Sequence, residues 1–280
     1  MVSLNDISVS NPILLVGCGK MGSAMLAGWL KSGLDPKAVL IIDPFLESAR
    51  KLAPAISDTS FFETVSDLAP SITPSFVILA VKPQILDDAL TGFGKLDNSE
   101  TVFISVAAGK TLSYFENILG KDKEIVRAMP NLPATIGRGI TVGCCNQNVT
   151  KEHKDVCHIL LEAVGQVEWI TDEGLIDAVT ALSGSGPAYI FYLAETMEAA
   201  GIAVGLSPEL AKKLAIETIS GAGELLRQSH LDASQLRRNV TSPNGTTAAA
   251  LEVLMQEDGL KSLINGTIRA AHHRSKELAD

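Results

Sequence analysis

The chain has few aromatic residues, few cysteines and fewer basic than acidic side chains. Of its 280 residues, 5% are aromatic and four are cysteine, and 23 Lys and Arg face 32 Asp and Glu, which gives a formal charge of −9. An acidic chain with no basic stripe carries no electrostatic footprint of nucleic-acid binding. No apolar run reaches the ~18 residues that a membrane span requires. We therefore expect neither a nucleic-acid nor a membrane partner.

The sequence also lacks the residue patterns that are typical of metal sites, redox-active cysteine pairs and secretory signal peptides. The four cysteines contain no C-x-x-C pair and the five histidines contain no H-E-x-x-H pattern, so we expect reduced, mostly buried thiols and no metal. Residues 1–11 have neither a cationic start nor an apolar middle. The expected compartment is therefore the cytoplasm.

Short apolar runs alternate with helical patterns in the first 170 residues. The runs have the length of strands buried on both faces of a parallel sheet, and they lie at 12–16, 38–42, 76–81, 102–106, 125–129 and 167–170. Strands that alternate with helices favour an α/β domain. We predict a Rossmann-type doubly wound sheet over residues 1–170.

The pattern changes after Ile170, because no further strand-like run appears and apolar residues recur at helical spacing. Ser207, Pro208 and Glu209 form the start of a predicted helix that runs to about Gln228. Its many small residues would let another helix approach closely, including one from a second subunit. We predict an all-helical domain over residues 171–280.

The first predicted strand is followed at once by a G-x-G-x-x-G turn and a helix. In that context the turn is a dinucleotide-binding fingerprint, because its glycines allow a tight turn and close backbone approach to a pyrophosphate at the helix N-terminus. A glycine-rich turn without a ligand is the alternative. The candidate cofactor residues here are Gly17, Gly19, Lys20, Met21 and Gly22.

Asp43 ends the second predicted strand, where a carboxylate can accept hydrogen bonds from the adenosine ribose. A carboxylate there repels a 2′-phosphate, which favours NADH over NADPH, although Lys20 could neutralise that phosphate. Since Pro44 follows directly, Asp43 is equally a turn former.

Two further strand ends lie where ligands bind in open α/β sheets. Small side chains there leave room for a flat ring, and the alternative is that they only form turns. The candidate cofactor residues are Ala80, Val81, Lys82, Pro83, Ala107, Ala108 and Gly109.

The segment 239–247 is dense in hydroxyl groups and turn formers just before a helical stretch at 248–255. Backbone amides at a helix N-terminus suit an anionic group of a substrate, and a threonine hydroxyl there can hydrogen-bond a reacting atom. An elaborate helix cap without a ligand is the alternative.

With the glycine turn, segments 80–83, 177–189 and 240–247 in this order, the chain resembles the pyrroline-5-carboxylate reductases over nearly its whole length. The resemblance implies a Rossmann domain, a helical domain that makes a homodimer or a dimer-based oligomer, and NADPH or NADH as cofactor. The implied reaction is hydride transfer to the imine carbon of 1-pyrroline-5-carboxylate, the last step of proline biosynthesis.

The resemblance also assigns roles to residues of the second half. It implies that Asn239 contacts the cofactor and that Thr247, the catalytic residue, hydrogen-bonds the ring nitrogen. The implied substrate-binding residues are Glu173, Asn244, Gly245, Thr246 and Thr247. Asn244 stands where the family usually has glycine, and asparagine tolerates the left-handed backbone better than most residues. Asp43 stands where members that prefer NADPH often have a small or amide side chain. Its carboxylate therefore agrees with the preference for NADH that its charge favours.

Two other functions fit the same architecture. A β-hydroxyacid dehydrogenase would need a lysine acid on the first long helix of the second domain, and no lysine occurs between Asp177 and Gly205. A regulatory protein that binds the dinucleotide without turnover is the other alternative.

Overall fold

The computed structural model describes residues 7–93 and 100–279, with the side chain of residue 279 excepted. By compactness it divides into two units, here called the sheet unit (residues up to Gly184, together with those from His272 on) and the helical unit (Ser185–Ala271). The predicted domains, 1–170 and 171–280, were drawn from the change of sequence pattern at Ile170.

One sheet of eight strands forms the centre of the sheet unit. Its order is β3-β2-β1-β4-β5-β6-β7-β8, and all neighbours are parallel except β6 and β7. The strands are β1 (Ile13–Val16), β2 (Val39–Ile42), β3 (Phe61–Phe62), β4 (Phe76–Leu79), β5 (Val102–Ser105), β6 (Glu124–Met129), β7 (Gly139–Cys145) and β8 (Gly165–Trp169). The prediction of a doubly wound sheet is confirmed.

Helices cover both faces of this sheet. Those of the sheet unit are α1 (Lys20–Lys31), α2 (Leu46–Leu52), α3 (Leu86–Leu90), α4 (Leu112–Leu119), α5 (Lys151–Glu162) and α6 (Ile176–Val179), with a π-helical turn at Thr180–Gly184. Short 3-10 helices lie at Pro36–Ala38, Asp58–Ser60, Val65–Asp67, Pro83–Ile85, Leu132–Ile136 and Glu173–Leu175.

Alternate residues of β1 point into two separate cores. Ile13 and Leu15 pack with Trp29 of α1 on one face, while Leu14 and Val16 pack with Phe115 of α4 on the other. All four residues of β1 are buried. The continuous apolar run is therefore the consequence of helices on both faces of the strand.

The helical unit contains α7 (Gly186–Ala203), α8 (Pro208–Gln228), α9 (Ala233–Asn239), α10 (Thr246–Leu254) and most of α11 (Leu260–Ala279). Ser207 caps α8 by accepting a hydrogen bond from the amide of Leu210, so the predicted start and end of that helix are confirmed. No helix among the described residues is both long and apolar enough to cross a membrane.

Candidate active site

The glycine turn lies at the carboxyl end of β1, between that strand and α1. Gly17 has φ 92°, and a Cβ atom on Gly22 would lie 2.0 Å from the Gly17 carbonyl oxygen. A Cβ atom on Gly19 would meet no atom within 4 Å. The amides of the first turn of α1 have no acceptor within the helix. The turn thus combines a close strand-to-helix approach with open space in front of free amides, which fits a pyrophosphate.

Asp43 follows β2 and is held against the glycine turn. Its Oδ2 accepts a hydrogen bond from the amide of Cys18 at 2.8 Å, and its Oδ1 accepts one from the amide of Phe45 at 2.9 Å. The bond to Phe45 matches the turn-forming interpretation, and the bond to Cys18 joins the carboxylate to the glycine turn. Each carboxylate oxygen retains lone-pair capacity for a further donor.

The basic residue that follows Asp43 along the chain is bound elsewhere. Arg50 Nε lies 3.2 Å from Asp58 Oδ1, and the Arg50 guanidinium lies 5.5 Å from the centre of the Phe61 ring. The partners in these two contacts are Asp58 and Phe61, and neither contact involves Asp43.

Two more turns reach the same edge of the sheet as the glycine turn. Residues 80–83 follow β4, which pairs with β1, and residues 107–109 follow β5, which pairs with β4. Ala107 is buried, whereas Lys82 and Ala108 are exposed. The structure therefore brings all three sequence-predicted cofactor segments of the sheet unit to one edge.

Sequence reasoning missed a contact between the helices that follow these two turns. The Tyr114 hydroxyl on α4 donates a hydrogen bond to Asp87 Oδ1 on α3, and Lys110 Nζ lies 4.1 Å from the centre of the Tyr114 ring. Burial and the Asp87 carboxylate both raise the pKa of Tyr114. No local pattern reveals a bond between residues 27 positions apart.

Glu173 is joined to the sheet by a buried ion pair. Its Oε1 lies 2.7 Å from Arg127 Nη1, and the Arg127 side chain is only 5% exposed. The same oxygen accepts a hydrogen bond from the amide of Leu112, the first residue of α4, at 2.8 Å. Sequence reasoning proposed Glu173 as an acid near the substrate and missed Arg127 as its partner.

The segment 239–247 lies in the helical unit, where it ends α9 and begins α10. Asn244 has φ 57° and is the one non-glycine residue with positive φ among those the structure describes. The amide of Gly245 donates to the Ser242 carbonyl at 3.1 Å, which closes the turn. Asn239 Oδ1 accepts a hydrogen bond from Gln235 Nε2 at 2.7 Å. Thr247 is half-buried in the first turn of α10, next to exposed Thr246.

For the cysteines and the potential metal ligands, the sequence predicts reduced, mostly buried thiols and no metal. In the described ranges no group of three or more His, Cys, Asp or Glu residues could hold a metal ion. The four cysteines are free, and all but Cys145 are buried. Burial, with a smaller effect of the Asp43 carboxylate, raises the pKa of Cys18 to about 11.

Comparisons with known proteins extend over both halves of the chain. A family model described as pyrroline-5-carboxylate reductase dimerisation matches residues 173–278, and one described as NADP oxidoreductase coenzyme F420-dependent matches residues 12–109. The chain is 36% identical over 269 residues to a pyrroline-5-carboxylate reductase of Pseudomonas aeruginosa, covering 96% of this chain and 97% of that protein. A Mycobacterium tuberculosis protein of the same name is 36% identical over 289 residues, covering 95% and 96%.

Solved structures agree with these relatives. A pyrroline-5-carboxylate reductase from Coxiella burnetii superposes with a TM-score of 0.86 at 31% identity, covering 97% of this chain and 99% of that one. A Plasmodium falciparum pyrroline carboxylate reductase with NADP bound gives a TM-score of 0.79 at 28% identity, covering 96% and 98%.

Proposed function

The chain belongs to the pyrroline-5-carboxylate reductase family, and from that membership we propose which of its residues bind the cofactor and the substrate. The protein is an oxidoreductase that reduces 1-pyrroline-5-carboxylate to L-proline with NADPH or NADH, and it assembles as a homo-oligomer. The cofactor, when bound, supplies the hydride that the imine carbon accepts.

One observation supports the cofactor-binding part of the proposal, namely the free amides and open space at the glycine turn. Gly19 faces that space while Gly22 is fixed against the Gly17 carbonyl. We assign the pyrophosphate to residues 19–22 and the nicotinamide to the turns 80–83 and 107–109 on the same sheet edge.

The substrate part of the proposal concerns the helical unit. A cyclic imine accepts a hydride readily once its nitrogen is protonated, so the enzyme needs orientation and a hydrogen bond at nitrogen more than a strong acid. We assign the substrate carboxylate to the amides of residues 244–247, at the N-terminus of α10, and the hydrogen bond to the imine nitrogen to Thr247. Asn239 is proposed as a cofactor contact.

The role of Thr247 is tested by removing and restoring its hydroxyl group. We expect Thr247→Ala to lower kcat by about 100-fold, while the dissociation constant of the cofactor stays unchanged. Thr247→Ser keeps the hydroxyl and should retain most of the turnover. Equal turnover in the wild type and Thr247→Ala would remove the residue from the mechanism.

We further propose that the protein prefers NADH, although its Plasmodium relative was solved with NADP bound. Asp43 is fixed beside the glycine turn by two backbone amides, and its carboxylate would repel a 2′-phosphate at this position. The Arg50 side chain lies beside the carboxylate of Asp58, which offsets its positive charge.

Asp43→Asn tests this preference because it removes the charge and keeps a hydrogen-bond acceptor. The ratio of kcat/KM for NADH to that for NADPH should fall by about tenfold or more. Asp35→Asn is the matched control, since Asp35 also accepts a backbone amide, that of Lys37 at 2.9 Å, at the other end of β2. An unchanged ratio in Asp43→Asn would contradict the role of Asp43.

A cytoplasmic location is the remaining part of the proposal. Free cysteines at all four positions fit a reducing compartment. Fractionation of the source cells would test it, and recovery outside the cytoplasm would overturn it.

A further inference from the structure

Tyr114 links the two helices that leave the proposed nicotinamide turns. Asp87 lies on the first turn of α3, soon after residues 80–83, and Tyr114 lies on the first turn of α4, soon after residues 107–109. The hydrogen bond between them therefore links α3 to α4, the helices that follow the paired strands β4 and β5.

Lys110 adds a third member to this contact. It follows Gly109 directly, is half-buried, and holds its ammonium group 4.1 Å from the Tyr114 ring centre. A cation at that distance over a ring face is attracted by the ring quadrupole. The Tyr114 hydroxyl is protonated at neutral pH, as an ordinary tyrosine is, and donates its hydrogen bond to Asp87. We call these residues the Lys110–Tyr114–Asp87 cluster.

The other side of the 107–109 turn is held independently. Glu173 accepts the amide of Leu112, and a Cβ atom on Gly109 would lie 3.0 Å from the Leu278 carbonyl oxygen. The buried Phe115 anchors α4 in the core, and it packs against the Tyr114 ring, which Tyr114→Phe retains. Asp87 is exposed and Tyr114 is only half-buried, so loss of their bond should leave the fold intact.

We propose that Tyr114 is a positioning residue, which fixes the 107–109 turn for the nicotinamide end of the cofactor through Asp87 and Lys110. The proposal rests on the proposed function, because that function assigns the turn to the nicotinamide. The three residues of the cluster lie beyond β4 and β5, whereas the glycine turn that is assigned to the pyrophosphate follows β1. Loss of the Tyr114–Asp87 hydrogen bond should therefore weaken binding of the nicotinamide end of the dinucleotide and leave binding of the pyrophosphate end unchanged.

The test compares two ligands on the full-length protein by calorimetry. One is the reduced cofactor that the wild type prefers, and the other is ADP-ribose, or its 2′-phosphate if NADPH is preferred, which lacks the nicotinamide. In Tyr114→Phe we expect the dissociation constant of the cofactor to rise by about five- to tenfold and that of ADP-ribose to change by less than about twofold.

Asp87→Ala should reproduce this selective loss, and the double variant should be little weaker than either single one, because both remove the same hydrogen bond. Asp88→Ala is the matched control, since Asp88 is the next residue of α3 and is also an exposed acid. It should bind both ligands as the wild type does.

Three results would overturn the inference. Equal weakening of both ligands in Tyr114→Phe would show a general structural defect, and unchanged cofactor binding would show that the bond positions nothing. A wild-type protein that binds neither ligand would contradict the proposed function itself, and the inference with it.

Discussion

At the scale of single residues, Gly19 and Gly22 of the glycine turn are required for different reasons on our account. Gly22 has no room for a side chain because the Gly17 carbonyl oxygen would lie 2.0 Å from its Cβ atom, whereas the space beside Gly19 is open within 4 Å. The first is a requirement of the fold and the second, on our account, a requirement of the ligand.

Gly19→Ala separates these requirements. The variant should fold with a melting temperature close to that of the wild type, because the new methyl group meets no protein atom, but it should bind the cofactor at least about tenfold more weakly. Gly22→Ala is the contrasting variant, and we expect it to lose about 3 kcal/mol of unfolding free energy through overpacking. Tight cofactor binding by Gly19→Ala, measured by calorimetry, would contradict the pyrophosphate assignment.

Ionisation of the Cys18 thiol should make the free energy of unfolding depend on pH in the alkaline range. Its folded pKa is about 11, whereas an unfolded thiol ionises near ~8.5. The unfolded state therefore loses its proton first, and the free energy of unfolding should decrease as pH rises from about 9 to about 11.

The decrease in unfolding free energy between pH 8 and about pH 11 should be about 2 kcal/mol smaller in Cys18→Ala than in the wild type. Urea unfolding at the two pH values measures this difference. The half-buried Cys145 provides the control, Cys145→Ala, which keeps the Cys18 contribution. Identical losses in the wild type and Cys18→Ala would refute the assignment.

At the scale of secondary-structure elements, six of the eight strands were predictable from the sequence, whereas β3 and β7 were not. β1, β4 and β5 are buried throughout, so their runs stand out from the sequence. β7 was missed because Gly143 lies inside it and leaves only three consecutive residues, Ile140 to Val142, before the interruption. β3 was missed because it has only two residues.

The same distinction applies to the site. The segments that we propose for the cofactor follow strands, and parallel strands end at a common edge, so the local sequence was enough to group them. The bonds from Tyr114 to Asp87 and from Arg127 to Glu173 join residues 27 and 46 positions apart. Such pairs depend on tertiary packing, and no short pattern encodes them.

The turn before α10 should depend on the left-handed backbone conformation of Asn244. Asn244 has φ 57°, so Asn244→Ala should cost about 1 kcal/mol of unfolding free energy and raise KM for 1-pyrroline-5-carboxylate. Asn244→Gly adopts this backbone freely and should match the wild type in both. Steady-state kinetics and urea unfolding would check this, and equal behaviour of the Ala and Gly variants would contradict it.

At the scale of the whole molecule, the helical unit exposes apolar side chains that a second copy of the chain can cover. Ile190, Phe191, Tyr192 and Leu193 follow one another on α7 and are 48%, 54%, 66% and 42% exposed. Four consecutive residues span a full turn of a helix, and exposed apolar side chains over a full turn indicate an interaction surface. The family model over residues 173–278 agrees, since it describes dimerisation.

Light scattering on the purified protein should give at least twice the mass of one chain. Phe191→Asp should shift the population towards monomer or lower its solubility, because a charge replaces apolar contact area. Phe45→Asp changes an aromatic residue of the sheet unit that is 72% exposed and should keep the wild-type mass. A monomeric wild type would contradict the assembly.

The central claim is that this chain transfers a hydride from a reduced nicotinamide to 1-pyrroline-5-carboxylate. The direct measurement follows the loss of reduced-nicotinamide absorbance with NADH and, separately, NADPH, with and without that substrate, and identifies the product. We predict substrate-dependent oxidation that yields L-proline, with the higher kcat/KM for NADH. Cofactor binding without substrate-dependent oxidation would contradict the claim and favour a protein that binds the dinucleotide without turnover.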